Sequence, residues 1–75
     1  MKVNYDDTVD ALYIQLGNAT PDGAVELSDG VNVDTTPTGE IVGIEILHAS
    51  TRMDLKTIFS YSLDLDTDIT ALKTP

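Results

Sequence analysis

The 75 residues include no cysteine, so neither a disulfide nor a thiolate metal site can staple the fold, an absence that fits a reducing cytoplasm. There is no tryptophan, and one phenylalanine and three tyrosines are all the aromatics, which leaves aliphatic side chains to make the core. No apolar run approaches the roughly 18 residues of a membrane span, and Met1-Lys2-Val3-Asn4-Tyr5-Asp6 lacks the basic-then-apolar order of an export signal. A cytoplasmic chain with no membrane association is expected. Basic residues are scarce, four against thirteen acids, for a net charge of -9. Such a chain repels phosphate backbones and anionic lipid, so it is not expected to bind nucleic acid by itself. The acidity serves solubility, or attraction to a basic protein partner.

What the sequence does contain is alternation. Val3 and Tyr5 share one face of a first strand, and Leu12, Ile14 and Leu16 share one face of a second. Asp6-Asp7-Thr8 makes the turn between them, since short polar side chains bond their own turn backbone. Residues 17–23 form a loop by composition. Val25 and Leu27 begin a third strand, Asp29-Gly30 is a hairpin turn, Val31 and Val33 continue in a fourth, and Pro37-Thr38-Gly39 turns into a fifth from Glu40 to Leu47. Gly43 within that strand implies a bulge or the close approach of another chain segment. After His48 the period changes. Thr51 and Asp54 resemble a capping box with the shorter acid, and Leu55, Ile58 and Phe59 follow at helical spacing. Phe59, Tyr61, Leu63 and Leu65 then alternate with polar residues, so the helix gives way to an extended segment near Ser60.

The expectation is an α+β fold in one domain over 1–75. Residues 1–48 form an antiparallel meander of about five strands, 50–60 one short helix, and 61–75 an extended or frayed C-terminal segment. The expected core is Val3, Leu12, Ile14, Leu16, Val25, Leu27, Val31, Val33, Val42, Ile44, Ile46, Leu55 and Ile58. A chain of 8.1 kDa buries only about 60 % of its surface on folding, and with no staple it gains by association. A homodimer is therefore expected.

No constellation of catalytic groups stands out, and the chain is expected not to be an enzyme and to need no cofactor. Asp64, Asp66 and Asp68 open like a calcium loop, but Ile69 stands where the sharp turn needs glycine and Pro75 where a bidentate glutamate should close the shell. Asp6, Asp7 and Asp10 can hold a cation or simply satisfy a turn, and the turn is favoured. A divalent-cation site at either cluster stays as an alternative. His48 alone has an ordinary pKa near neutrality, and a small enzyme using it is the other alternative, although no orienting partner or activated nucleophile is evident. Arg52 is expected to pair with an acid. Tyr13, Ile41 and Leu47 point away from the expected core and, with Tyr61, Leu63 and Leu65, make a candidate interaction surface.

Tyr5-Asp6, Asp10, Leu12-Tyr13-Ile14, Leu16, Val25-Glu26-Leu27, Asp29-Gly30-Val31, Val33-Asp34 and Gly39 through Val42-Gly43-Ile44-Glu45-Ile46-Leu47, then Ala49-Ser50, resemble the small prokaryotic family called domain of unknown function 2283. The resemblance covers about Lys2 to Ser50. It implies a small sheet with a helix, no established activity and, by association with small toxin-like proteins, an antitoxin or accessory-partner role. It carries no catalytic residue over. Asp6, Asp10 and Glu45, together with His48, are polar positions that the strand alternation does not explain.

Overall fold

The most apolar strand of the chain occupies the middle of the sheet. The computed structural model describes residues 1–64. Within them β1 (Lys2–Asp6), β2 (Ala11–Gln15), β3 (Gly23–Ser28), β4 (Val31–Thr35) and β5 (Ile41–Leu47) are followed by a one-turn helix, α1 (Ala49–Arg52), and a 3-10 turn (Leu55–Phe59). All neighbours are antiparallel, and the strand order is β1-β2-β5-β4-β3. A five-stranded antiparallel sheet followed by a short helix is thus what the alternation implied. The order is not that of a simple meander, in which β2 would lie beside β3. The loop after β2 carries the chain to the far edge, and β5 returns between β2 and β4. Its Ile41-Val42-Gly43-Ile44-Glu45-Ile46-Leu47 thereby has a strand on both sides, while the more polar β1 and β3 take the edges.

Cross-strand partners share a face, so the register defines two unlike surfaces. Val3, Ile14, Ile44, Val33 and Val25 form one continuous row across all five strands, and Tyr5, Leu12, Ile46 and Val31 a second beside it. The paired residues of that face include no charge. The opposite face carries the row Asn4, Tyr13, Glu45, Asn32 and Glu26, with Lys2, Asp6 and Asp34 on it as well.

Among the described residues Leu12, Val33, Val42 and Ala49 are the buried apolar ones, with Leu12 the largest side chain fully enclosed at 1 % exposure. Ile14, Val31, Ile44, Ile46, Leu55 and Ile58 are half-buried. Val3, Leu16, Val25 and Leu27, expected in the core, are exposed. They lie on or beside the edge strands, and alternation says which face a side chain takes, not whether anything covers that face. Two irregularities adjust the faces. A register shift between Glu26 and Ser28 leaves Leu27 outside the ladder. Another skips Val42, so that Asp34 pairs with Gly43 and Thr35 with Ile41, which turns Ile41 to the apolar side, away from Tyr13.

The expected single helix over 50–60 is instead two short pieces separated by Met53, whose φ of -149° and ψ of 162° are extended. Thr51 and Asp54 do not form a capping box. The Thr51 hydroxyl donates to the His48 carbonyl oxygen at 2.8 Å, and the Asp54 side chain accepts from the Lys56 amide at 3.0 Å, capping the 3-10 turn that follows. Aspartate favours that local bond over continuing a helix, and Thr57, Ile58 and Phe59 add little helix propensity. Among the described residues no helix is long and apolar enough to cross a membrane.

Candidate functional site

Three turns meet at one end of the sheet, two of them fastened by Asp10 and the third by Arg52. The Asp10 backbone is left-handed, with φ at 54°, and so is that of His48, also at 54°; non-glycine residues seldom adopt this region. The Asp10 carbonyl accepts from the Ala49 amide at 3.0 Å. Its carboxylate accepts from the Tyr5 hydroxyl at 2.7 Å, from the Ser50 amide at 3.0 Å and from the Ser50 hydroxyl at 2.7 Å. One side chain therefore joins β1, the first turn and the start of α1. At the other end of α1, the Arg52 guanidinium donates to the Asp29 carbonyl oxygen in the β3–β4 turn; it meets a carbonyl there, not the carboxylate expected from composition. Gly30, with φ at 79°, lets that turn pass close to Arg52 and accepts from the Leu47 amide at 2.8 Å.

The hydrogen bond from Tyr5, followed by those from Ser50, holds the Asp10 carboxyl below the usual carboxylate range, and the same bond to Asp10 raises the Tyr5 phenol. A carboxyl with a lowered folded pKa adds stability that is fully present above its ordinary value of 3.8 and is lost as pH falls through the lower folded value. The melting temperature of wild type should accordingly exceed that of Asp10→Asn by a constant margin between about pH 5 and 7, and the margin should shrink below about pH 4. A margin unchanged down to about pH 2, read by thermal melts across the series, would show that the ionised carboxylate is not what ties the turns together.

Asp6 and Glu45, polar positions unexplained by alternation, have local partners. Asp6 accepts from the Thr8 hydroxyl at 2.6 Å and the Thr8 amide at 3.0 Å, bonds that lower its pKa, the hydroxyl most. Glu45 accepts from the Asn32 side-chain amide at 3.4 Å across β5 and β4. Tyr13 was expected on an apolar patch. It is half-buried, and its hydroxyl donates to Asp34 at 2.8 Å, which raises the phenol's pKa. To reach from β2 to β4 the ring crosses β5 over Gly43, where a β-carbon would collide with it. The close approach that Gly43 permits is thus by a side chain of its own sheet. Tyr13, Ile41 and Leu47 do not form one patch: Tyr13 and Leu47 lie on the polar face by register, and Ile41 on the other.

The chemistry open to the polar cluster is limited. Asp6 and Asp10 turn to different donors, and among the described residues no three His, Asp or Glu groups converge in a way that could hold a metal ion. Asp66 and Asp68 lie outside the described residues, as does Leu65. His48 is exposed at the start of α1 and makes no capping bond with its side chain. The Ser50 hydroxyl donates to Asp10, a carboxylate whose lowered pKa makes it a weaker base than usual, the wrong direction for activating a nucleophile.

The apolar face is a different kind of surface. Leu55, Ile58 and Phe59 of the 3-10 turn stand over Val3 and Tyr5 and enclose a cleft of about 380 Å³. Beyond that cleft Leu16, Val25, Leu27 and Ile41 are open to solvent, Val25 at 53 % exposure, and Phe59, Tyr61 and Leu63 project at 89 %, 73 % and 67 %. Tyr61 and Leu63 of the expected interaction surface are therefore free to make contacts.

Residues 2–50 match a protein family described as protein of unknown function, DUF2283. No curated protein and no solved structure matches the chain.

Proposed function

Because the chain belongs to the DUF2283 family, which brings no assigned activity with it, we propose from its surface that it is a protein–protein interaction module that docks through the apolar face of its sheet. The observation that supports this reading is an uncharged sheet face whose margins, at Leu16, Val25 and Ile41, are open to solvent, in a chain of net charge -9. Exposed apolar area of this kind, rimmed by polar residues, is the ordinary mark of a docking surface. The rim here is acidic: Asp6 and Asp7 flank one turn, Asp29 another, and Asp22 and Glu40 precede β3 and β5, all of them exposed. An apolar centre with an acidic rim suits a partner whose own apolar patch is bordered by lysine or arginine, and the rim speeds encounter more than it tightens the complex. The antitoxin-like or accessory role implied by the family resemblance is one form such a partnership takes.

The test is affinity capture from the native lysate with the immobilised full chain, beside Val25→Asp. That substitution places a charge on the face at an edge position, and circular dichroism checks that the variant stays folded. A basic protein retained by wild type at low salt, released at about 0.5 M salt where charges are screened, and not retained by Val25→Asp is the expected result. Equal retention by both chains would remove the reading.

A further inference from the structure

We infer that the outer edge of β1 is a binding site for an extended peptide, which adds to the sheet as a sixth strand and seats two apolar side chains under the 3-10 turn. The inference goes beyond the reading of the sheet face as a docking surface and does not depend on it, since Val25 lies on the opposite edge strand.

Two independent features coincide at this edge. The first is the backbone. β1 is an end strand of the sheet, and in an antiparallel pair alternate residues exchange both bonds with the neighbour while the N–H and C=O groups between them point away from it. Among the described residues no backbone group of Lys2–Asp6 bonds to anything beyond β2. Such a row is a template for another strand. The other edge is blunted by the register shift between Glu26 and Ser28, whereas β1 runs five consecutive pairs without one, and only its end residues, Lys2 and Asp6, are charged.

The second feature is the cleft. It is lined by Val3 and Tyr5 of β1 and by Leu55, Ile58 and Phe59 above them, so it runs along the edge and not over the middle of the sheet. Val3 and Tyr5 are each still 37 % exposed beside the turn. Cross-strand neighbours share a face, so the residues of an added strand opposite Val3 and Tyr5 point to the cleft, and those between them to the polar side. The unpaired backbone thus calls for a strand and the cleft for apolar residues at alternate positions, the two requirements of strand addition. Charge sets the direction. Asp6 ends β1 with Asp7 next to it, and Lys2 begins it. An antiparallel strand, the orientation of every pair in this sheet, matches both ends when it starts with a basic residue and finishes with an acidic one. The ligand class is therefore an extended segment in the order basic, apolar, polar, apolar, acidic.

The probe is an amidated lysine-valine-threonine-valine-glutamate peptide with an amino-terminal fluorophore, titrated with the full chain and read by anisotropy. Half-saturation at about 10–500 μM is expected for one short segment. Phe59→Ser leaves every strand residue in place, as circular dichroism checks, and should weaken binding about fivefold or more. Methyl groups on the threonine amide and on the second valine amide lie on opposite edges of the added strand, so one should cost about tenfold or more and the other little. Exchanging the lysine and glutamate should weaken binding at low salt and make no difference at about 0.5 M, where charges are screened. No saturation by about 1 mM would overturn the inference, as would equal binding of the two methylated peptides, indifference to Phe59→Ser or indifference to the charge exchange at low salt. The two readings fail separately: Val25→Asp should bind this peptide as wild type does, and loss of the peptide site leaves capture through Val25 untouched.

Discussion

Leu12→Ala should lower stability by about 2–5 kcal/mol, the range for emptying a buried leucine site. Leu12 is 1 % exposed and, among the described residues, is the one large side chain fully enclosed. It pairs with Tyr5 on one side and Ile46 on the other, so strands border the hole and cannot collapse into it without breaking ladder bonds. At about 0.05–0.15 kcal/mol per residue, a 75-residue domain has some 4–11 kcal/mol in total. The substitution therefore removes a large part of the reserve, and urea titration should show a midpoint far below wild type or no folded baseline. Ile44→Ala should cost less, because Ile44 is only half-buried and its methyl groups already meet solvent in the isolated chain. Equal losses at both positions would mean that the apolar face is closed in solution.

Gly43→Val is the second large effect, and its sign depends on Tyr13. A β-carbon at Gly43 meets the Tyr13 ring, so the ring must leave and its bond to Asp34 at 2.8 Å is lost. Overpacking costs about 1–3 kcal/mol and the hydrogen bond about 1 kcal/mol. With Tyr13→Ala also present there is nothing left to displace, and valine should gain the strand preference that glycine lacks. The double variant is then expected to be more stable than Gly43→Val alone, with a coupling of about 1–3 kcal/mol in a double-mutant cycle. Additive losses would show that the ring does not occupy the space over Gly43.

These two positions mark what the sequence made legible and what it withheld. Leu12 is readable because it repeats with Ile14 and Leu16 at the strand period, and all five strands were readable in the same way. Their order was not, since period-2 alternation carries no information about neighbours. Gly43 in mid-strand implies a bulge or a close approach, but only the register of β2 against β5 brings Tyr13 across it. Alternation alone puts Ile41 on the face opposite Ile44, and the one residue skipped at Val42 reverses it. Val3, Leu16, Val25 and Leu27 have the pattern of core residues and the exposure of a surface, a difference set by what lies over the sheet. Asp6, Asp10 and Glu45 were singled out as polar residues without a role, and each holds a backbone or side-chain donor of its own chain. The signal that could have found the Asp10 hub was the Tyr5 to Asp10 spacing around a tight turn, with Ser50 one residue into a helix that had to begin somewhere near it. The exposure of the apolar residues at the sheet's margins left no comparable trace.

The central place of β5 also governs when this protein can fold. Its partners β2 and β4 come earlier in the chain, and they do not touch each other except through it. Until Leu47 is available the β1–β2 and β3–β4 hairpins are two separate ribbons, each no better than marginal in water. Joining β2 to β5 closes a loop of about thirty residues, whose entropy must be met before the contacts return anything. Folding should thus be slow for so small a domain and all-or-none, and during synthesis the ribosome would release two sticky ribbons before the strand that unites them has emerged.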